Sequence, residues 1–193
     1  MLIPLGVLAA SGAGPVGGDY ELIETTILGS SAASVTFSSL ATYASTYKHL
    51  QVRVVTRNSR AAEWSGISFR FNADSGTNYS SHFLKGDGVS VSSSATANSN
   101  AISNGSLEVA GSGNSADIFS GIIYDILDPY STAKNKTVRY FGGRGAVSSG
   151  DKQILLASGA WRDLSSVTEI SLTANPDGNF VAGSRFSLYG IKG

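Results

Sequence analysis

The sequence predicts an all-β protein: an antiparallel β-sandwich, jelly-roll-like in type, preceded by an extended N-terminal arm. Short stretches in which apolar and polar residues alternate recur along the chain, and a two-residue period is typical of half-buried strands. Clusters of Gly, Asn, Asp, Ser and Pro separate these stretches and predict turns. Helical periodicity is missing apart from one short turn predicted within Leu40–Tyr47. Eight to ten short strands joined by polar turns indicate two packed sheets.

The alternation is clearest in the second predicted strand, where Leu50, Val52 and Val54 face one side and Gln51 and Arg53 face the other. The predicted strands are, in chain order, residues 20–28, 49–57, 67–71, 79–85, 101–109, 118–127, 137–142, 153–161, 167–173 and 185–191.

Two stretches depart from this alternation. Residues 118–127 hold an aliphatic run, which predicts a central strand buried on both faces. Residues 89–107 carry no charge and are rich in Ser, Ala and Asn. This composition leaves two interpretations open, a flexible surface loop or a segment that becomes ordered between subunits.

Composition limits the function classes. The chain has 193 residues, which predicts one domain, residues 19–193, after an arm, residues 1–18. The 14 Lys and Arg residues balance the 14 Asp and Glu residues, so we expect neither a nucleic-acid partner nor an anionic membrane partner. The chain contains no cysteine, which excludes disulfides, cysteine nucleophiles and zinc sites built on cysteine. A formal net charge of +0 also favours association.

The first 18 residues, MLIPLGVLAASGAGPVGG, carry no charge. Their apolar run is shorter than the roughly 20 residues of a membrane-spanning helix, and no basic residue precedes it as in a secretory signal. We therefore predict an arm that docks on a partner; packing on its own domain and targeting are weaker alternatives. The predicted docking residues are Met1, Leu2, Ile3, Pro4, Leu5, Val7 and Leu8.

The sequence holds no motif that indicates catalysis. The two histidines, His49 and His82, have no metal-ligand partner nearby in the sequence, and no nucleophile elbow is present. We predict no enzyme activity, no catalytic residue, no metal site and no cofactor. If the sandwich binds a glycan, the aromatic residues expected to face it are Trp64, Tyr79 and Tyr130, whereas Trp161 is expected to be packed inside.

Several segments between residues 19 and 193 resemble a group of small structural proteins of tailed bacteriophages. The segments are YELIETTIL, ASVTFSSL, YKHLQVRVVTR, FNADSGTNYS, IIYDILDPYSTAKNKTVRYFGG, GAWRDLSSVTEISLT and GNFVAGSRFSLYGIKG. The resemblance implies a virion structural protein, made in the host cytoplasm and carried on the virion surface. It further implies a homotrimer whose partners are other virion proteins, either the major capsid protein or tail components.

The resulting hypothesis is a capsid decoration or cement protein held by its arm. The chain has no coiled-coil or repeat shaft, which favours the capsid over a reaching tail fibre. The alternative is a tail-fibre or tail-adaptor protein whose β-sandwich binds a receptor or glycan.

Overall fold

The computed structural model describes residues 18–103, 109–145, 152–175 and 177–193. These residues form two antiparallel sheets and one short 3₁₀ helix, Leu40–Tyr43. The strands, in chain order, are β1 (Tyr20–Ile27), β2 (Ser34–Phe37), β3 (His49–Thr56), β4 (Trp64–Phe71), β5 (Tyr79–Gly86), β6 (Val91–Ser99), β7 (Ile102–Ser103), β8 (Val109–Ala110), β9 (Ser120–Leu127), β10 (Lys136–Arg144), β11 (Gln153–Trp161), β12 (Ile170–Asn175) and β13 (Arg185–Ile191).

The larger sheet has eight strands in the order β1-β13-β3-β9-β10-β11-β5-β6, and the smaller sheet has the order β2-β12-β4-β7, with β8 paired to β4. The chain crosses repeatedly between the sheets, since β1 and β3 belong to the larger sheet and β2 and β4 to the smaller one. This architecture confirms the predicted antiparallel β-sandwich. The finer jelly-roll description stays a prediction.

The core lies between the two sheets. Leu50, Val52 and Val54 of β3 are buried on the inner face of the larger sheet, as their alternation predicts. Phe69 of β4 stacks on Tyr124 of β9 with ring centroids 5.0 Å apart, so the two sheets meet directly through aromatic side chains. Stacked rings add to the free energy gained by burying their surface.

A partly buried hydrogen-bond cluster ties the turn after β4 to the end of β11. The Asp74 carboxylate accepts a 2.6 Å hydrogen bond from the Trp161 indole N–H and a 2.8 Å hydrogen bond from the Gly76 amide. These two donors hold the pKa of Asp74 below its usual value. Tyr79 stacks on Trp161, and its hydroxyl donates to the Phe71 carbonyl. The FNADSGTNYS segment therefore has a structural role here.

The structure corrects the prediction for residues 118–127. In β9, Ile122, Tyr124 and Ile126 are buried, whereas Ile123 and Leu127 are exposed on the opposite side. The smaller sheet covers only one face of the larger sheet, so a central strand is buried on one side despite its aliphatic sequence. The prediction of burial on both faces is wrong.

Other differences concern short or polar strands. Residues 101–109 were expected to form one strand, but the structure has the two-residue strands β7 and β8 near its ends, and residues 104–108 lie outside the described part. Strands β2 and β6 have no counterpart in the sequence prediction. Strand β6 also excludes the loop interpretation for residues 91–99, because these residues pair with β5.

Replacing Val52 with Asp should destabilise the fold by about 3–5 kcal/mol or more, because the carboxylate would be buried without a partner. The matched control is Val55→Asp on the same strand, because Val55 is exposed on the outer side and its replacement should cost about 0.5 kcal/mol or less. Urea denaturation followed by circular dichroism measures both. Equal stability of the two variants would contradict the assigned inner face of β3.

Candidate assembly surface

The outer face of the larger sheet, turned away from the smaller sheet, carries a row of exposed apolar side chains. Ile123, Phe141, Leu156 and Leu84 lie directly opposite one another on the neighbouring strands β9, β10, β11 and β5. They are 37%, 49%, 52% and 51% exposed. We call these four residues the ridge. Contiguous exposed apolar surface of this kind marks interaction sites.

A row of small residues runs beside the ridge, and on each strand it lies two residues away from the ridge residue. Gly121, Gly143 and Gly86 lie in this row on β9, β10 and β5, and we call them the trough. A Cβ added at Gly121 would contact nothing within 4 Å, so the surface is open there. Exposed Ile154 of β11 interrupts the trough. Across β9, β10, β11 and β5 these two rows contain no charged side chain.

A polar row borders the ridge on its other side. Gln51, Asp125, Arg139, Ser158 and His82 follow one another across β3, β9, β10, β11 and β5. The Asp125 carboxylate accepts hydrogen bonds from Gln51 at 2.7 Å and from Arg139 at 3.0 Å. A shallow groove of about 400 Å³ lies between this row and the ridge, along β10, β11 and β5. The outer face thus combines an apolar strip with a polar margin.

The polar row brings one serine next to one histidine. Ser158 Oγ lies 3.3 Å from His82 Nδ1, but the row neighbours of this pair are Arg139 and Ala95. A hydrolytic triad needs a carboxylate that orients the imidazole, and in this row an arginine and an alanine flank the pair. The other histidine, His49, accepts a hydrogen bond from the Asp128 amide at 3.0 Å, which fastens the end of β3 to the turn after β9.

The larger sheet has two edge strands that differ in protection. Strand β1 carries Glu21 and Glu24 and a register irregularity between Leu22 and Glu24, and charges and bulges are features that block pairing with another chain. Strand β6 has no charge, and its residues 91–98 are all exposed. It has a register irregularity near its end, where Thr96 pairs with Ser81 and Ser99 with Tyr79, but it carries no protecting charge.

A capped turn joins β5 to β6. The Asp87 carboxylate accepts hydrogen bonds from the Ser90 amide at 2.6 Å, from the Val89 amide at 2.8 Å and from the Ser90 hydroxyl at 2.8 Å. These bonds lower the pKa of Asp87 to about 2, and the bond from the Ser90 amide contributes most. The ionised carboxylate thus helps to hold the hairpin that ends in the edge strand.

The three aromatic residues predicted to face a ligand do not share a surface. Trp64 is exposed at the start of β4, and the Arg60 guanidinium lies 5.4 Å from its ring centroid. Tyr79 is fully buried, because it begins β5 on the inner side, so its expected exposure is wrong. It also contacts Phe71, at the far end of β4 from Trp64. Tyr130 is half-buried against the core, which corrects its expected exposure.

The remaining features concern the predicted docking residues, Trp161, metal sites and membrane-spanning helices. The docking residues Met1, Leu2, Ile3, Pro4, Leu5, Val7 and Leu8 lie outside the described residues. Trp161 is buried, as expected. Within the described part of the chain, no group of three or more His, Asp or Glu side chains could hold a metal ion, and no helix is long and apolar enough to cross a membrane.

No protein-family model matches the chain, and no curated protein sequence matches it. The resemblance to structural proteins of tailed bacteriophages therefore stays a hypothesis that rests on sequence motifs.

The ridge was not singled out from the sequence, although it could have been: Phe141 follows the inward Tyr140, and Leu156 follows the inward Leu155. The signal in the sequence is a strand in which two successive residues are both apolar, because one of the two must then point to the outer face.

The carboxyl group of Asp87 should titrate with a pKa of about 2 in the folded protein. A pKa below the unfolded value means that Asp87 stabilises the hairpin above about pH 4 and that this contribution is lost as the pH falls towards 2. Two-dimensional NMR should show the Val89 and Ser90 amides shifting with that midpoint. In the Asp87→Asn variant the transition should be missing. A midpoint near the ordinary value of 3.8 would contradict the described turn.

Proposed function

We propose that this chain is a non-enzymatic structural protein of a tailed-bacteriophage virion, namely a capsid decoration or cement protein attached through residues 1–18. The observation that supports an assembly role is the uncharged apolar strip on the outer face of the larger sheet. Apolar surface left in water forgoes about 25 cal/mol per Å². Association with another protein recovers this free energy, and a contiguous strip is typical of interaction sites.

In this proposal the two parts of the chain act separately. Residues 1–18 attach the protein to the major capsid protein or to a tail component, and an uncharged segment can do so by adding a strand or lying in a groove. The β-sandwich is displayed on the virion surface. A chain without cysteine suits synthesis in the reducing host cytoplasm. Binding to the particle then stabilises the folded state.

A structural role fits the chemistry of the outer face better than catalysis does. The Ser158–His82 pair is exposed at the margin of the ridge, and Arg139 stands beside it where a triad would have an acid. Its surroundings resemble the polar rim of an interface.

The alternative is a tail-fibre or tail-adaptor protein that binds a receptor or glycan through the sandwich. Exposed Trp64, with Arg60 above its ring, is the observation that favours it. A glycan array tests this function directly. Binding that is lost in Trp64→Ala would support the alternative, whereas identical profiles for the two proteins would count against it.

Antibody labelling of intact particles of the encoding phage tests the proposed location. Regularly spaced labels over the head are the expected result. A few labels confined to the tail would replace the decoration role by the tail role, and the absence of label from particles that infect normally would overturn the virion assignment.

Removal of residues 1–18 should abolish incorporation into particles without unfolding the domain, since β1 begins at Tyr20. Particles grown with the full-length chain are the control, and quantitative mass spectrometry of purified particles measures incorporation. Circular dichroism of the truncated chain should keep its β-sheet spectrum. Unchanged incorporation would contradict the role of the arm.

A further inference from the structure

The ridge and the trough form a surface that is complementary to itself. We infer that a second copy of this chain covers the outer face of the larger sheet, in a face-to-face pair related by a two-fold axis. The inference rests on the proposed assembly role of this face and identifies its partner.

The register defines which residues meet. The axis lies in the plane between the two faces, parallel to the rows and midway between ridge and trough. Rotation about it brings Ile123 opposite Gly121 of the same strand in the second copy, because these residues are two positions apart on β9. In the same way Phe141 comes opposite Gly143, and Leu84 comes opposite Gly86. Three of the four ridge side chains therefore face a position without a side chain.

The one interruption of the trough is also accommodated. Ile154 and Leu156 occupy the two rows on β11, so the same rotation brings Leu156 of one copy opposite Ile154 of the other. Two aliphatic side chains in contact bury further apolar surface, which is favourable. The pairing thus leaves no ridge residue opposite a polar group.

The size and twist of the face suit such a pair. Strands β3, β9, β10, β11 and β5 have eight or nine residues each, and with strand spacing of about 4.8 Å and a rise of about 3.3 Å per residue they span roughly 600 Å². Stable interfaces bury about 800 Å² per partner, which is the same order. Identical copies have the same twist, and the rotation lays each strand over its own counterpart, so the two twisted faces curve together.

The charged residues of β9 and β10 lie outside the ridge and the trough. Asp125 and Arg139, which bond to each other, stand in the polar row at the margin of the contact. Arg53 extends the ridge row on β3, where the rings of Tyr20 and Tyr189 hold it at 5.1 and 4.9 Å. The rotation places Arg53 opposite Val55, so no like charges meet. An apolar centre with a polar rim is the usual organisation of a protein interface.

A partner of different sequence would have no reason to repeat the row spacing of this sheet. The ridge and the trough lie two residues apart on the same strands, so the surface that fits the ridge is already present on this chain. A two-fold pair also differs from the homotrimer that the phage resemblance implies, and the two states have different masses.

Sedimentation velocity and light scattering of the full-length protein should show the mass of two chains. Phe141→Glu should raise the dissociation constant about 100-fold or more, because it would bury a charge at the centre of the contact. Leu164→Glu is the matched control, since Leu164 is exposed in the segment between β11 and β12, away from the sheet. This variant should keep the wild-type mass.

Gly121→Val separates the pairing from the fold. A Cβ at this position contacts nothing within the single chain, and a β-branched residue suits a strand, so the thermal stability of the monomer should be kept. In the pair the valine would fill the trough and raise the dissociation constant about tenfold or more. A lower melting temperature of the isolated monomer would contradict the described open surface at Gly121.

Three results would overturn the pairing: a single-chain mass at all concentrations, a three-chain mass, or a two-chain mass that neither Phe141→Glu nor Gly121→Val alters. Failure of the proposed function is recognised separately. If the pair forms but the protein is missing from virions, the pairing stands and the virion role fails. If virions carry a protein that is a single chain in solution, the virion role stands and the pairing fails.

Discussion

The structure depends on the burial of one face of the eight-stranded sheet against the smaller sheet. The strands β3, β9, β10 and β11 of the larger sheet show the same alternation, with residues such as Val52 and Tyr124 buried and their chain neighbours less buried on the outer side. The alternation follows from strand geometry, since successive side chains point to opposite faces. Removal of inner apolar surface from water supplies the main stabilising free energy.

The buried Lys136 and the partly buried Asp74 are both paired locally at one end of the core. Lys136 begins β10 on the inner side and is fully buried, with its ammonium group near the carbonyl oxygens of Lys134 and Asp163 and 5.8 Å from the Trp161 ring centroid. Burial lowers its pKa. Asp74 bonds to the Trp161 indole on the other side. Trp161 thus organises the end of the sandwich where the turn after β4 meets β11.

The same alternation that builds the core produces the outer face. A strand that alternates must present half of its residues to the side that the smaller sheet does not cover, and on β9, β10, β11 and β5 these residues include the four apolar side chains of the ridge. About half of their surface stays in water within the single chain, so their chemistry points to a partner. The uncharged edge strand β6 belongs to the same end of the sheet. The proposed assembly role rests on this outer face.

The sequence by itself determined the features that depend on neighbouring residues. Alternation identified β3 with its inward Leu50, Val52 and Val54, and it identified β11 and β13 with their observed bounds. Turn residues marked positions where the backbone adopts positive φ, such as Asn72 and Asp128. These features are local because strand geometry and turn conformation act over a few residues.

The tertiary structure decided what depends on distant partners. Strand β6 has no apolar alternation and exists because β5 pairs with it. Tyr79 and Trp64 are both aromatic, and only the position of each strand in the sandwich decides that the first is buried and the second exposed. The ridge requires four strands, from Leu84 to Leu156, to meet in one register, and their order in the sheet differs from their order in the chain. The sequence marks single outward apolar residues such as Phe141, but only long-range pairing aligns them in one row, and this is why local patterns did not show the whole surface.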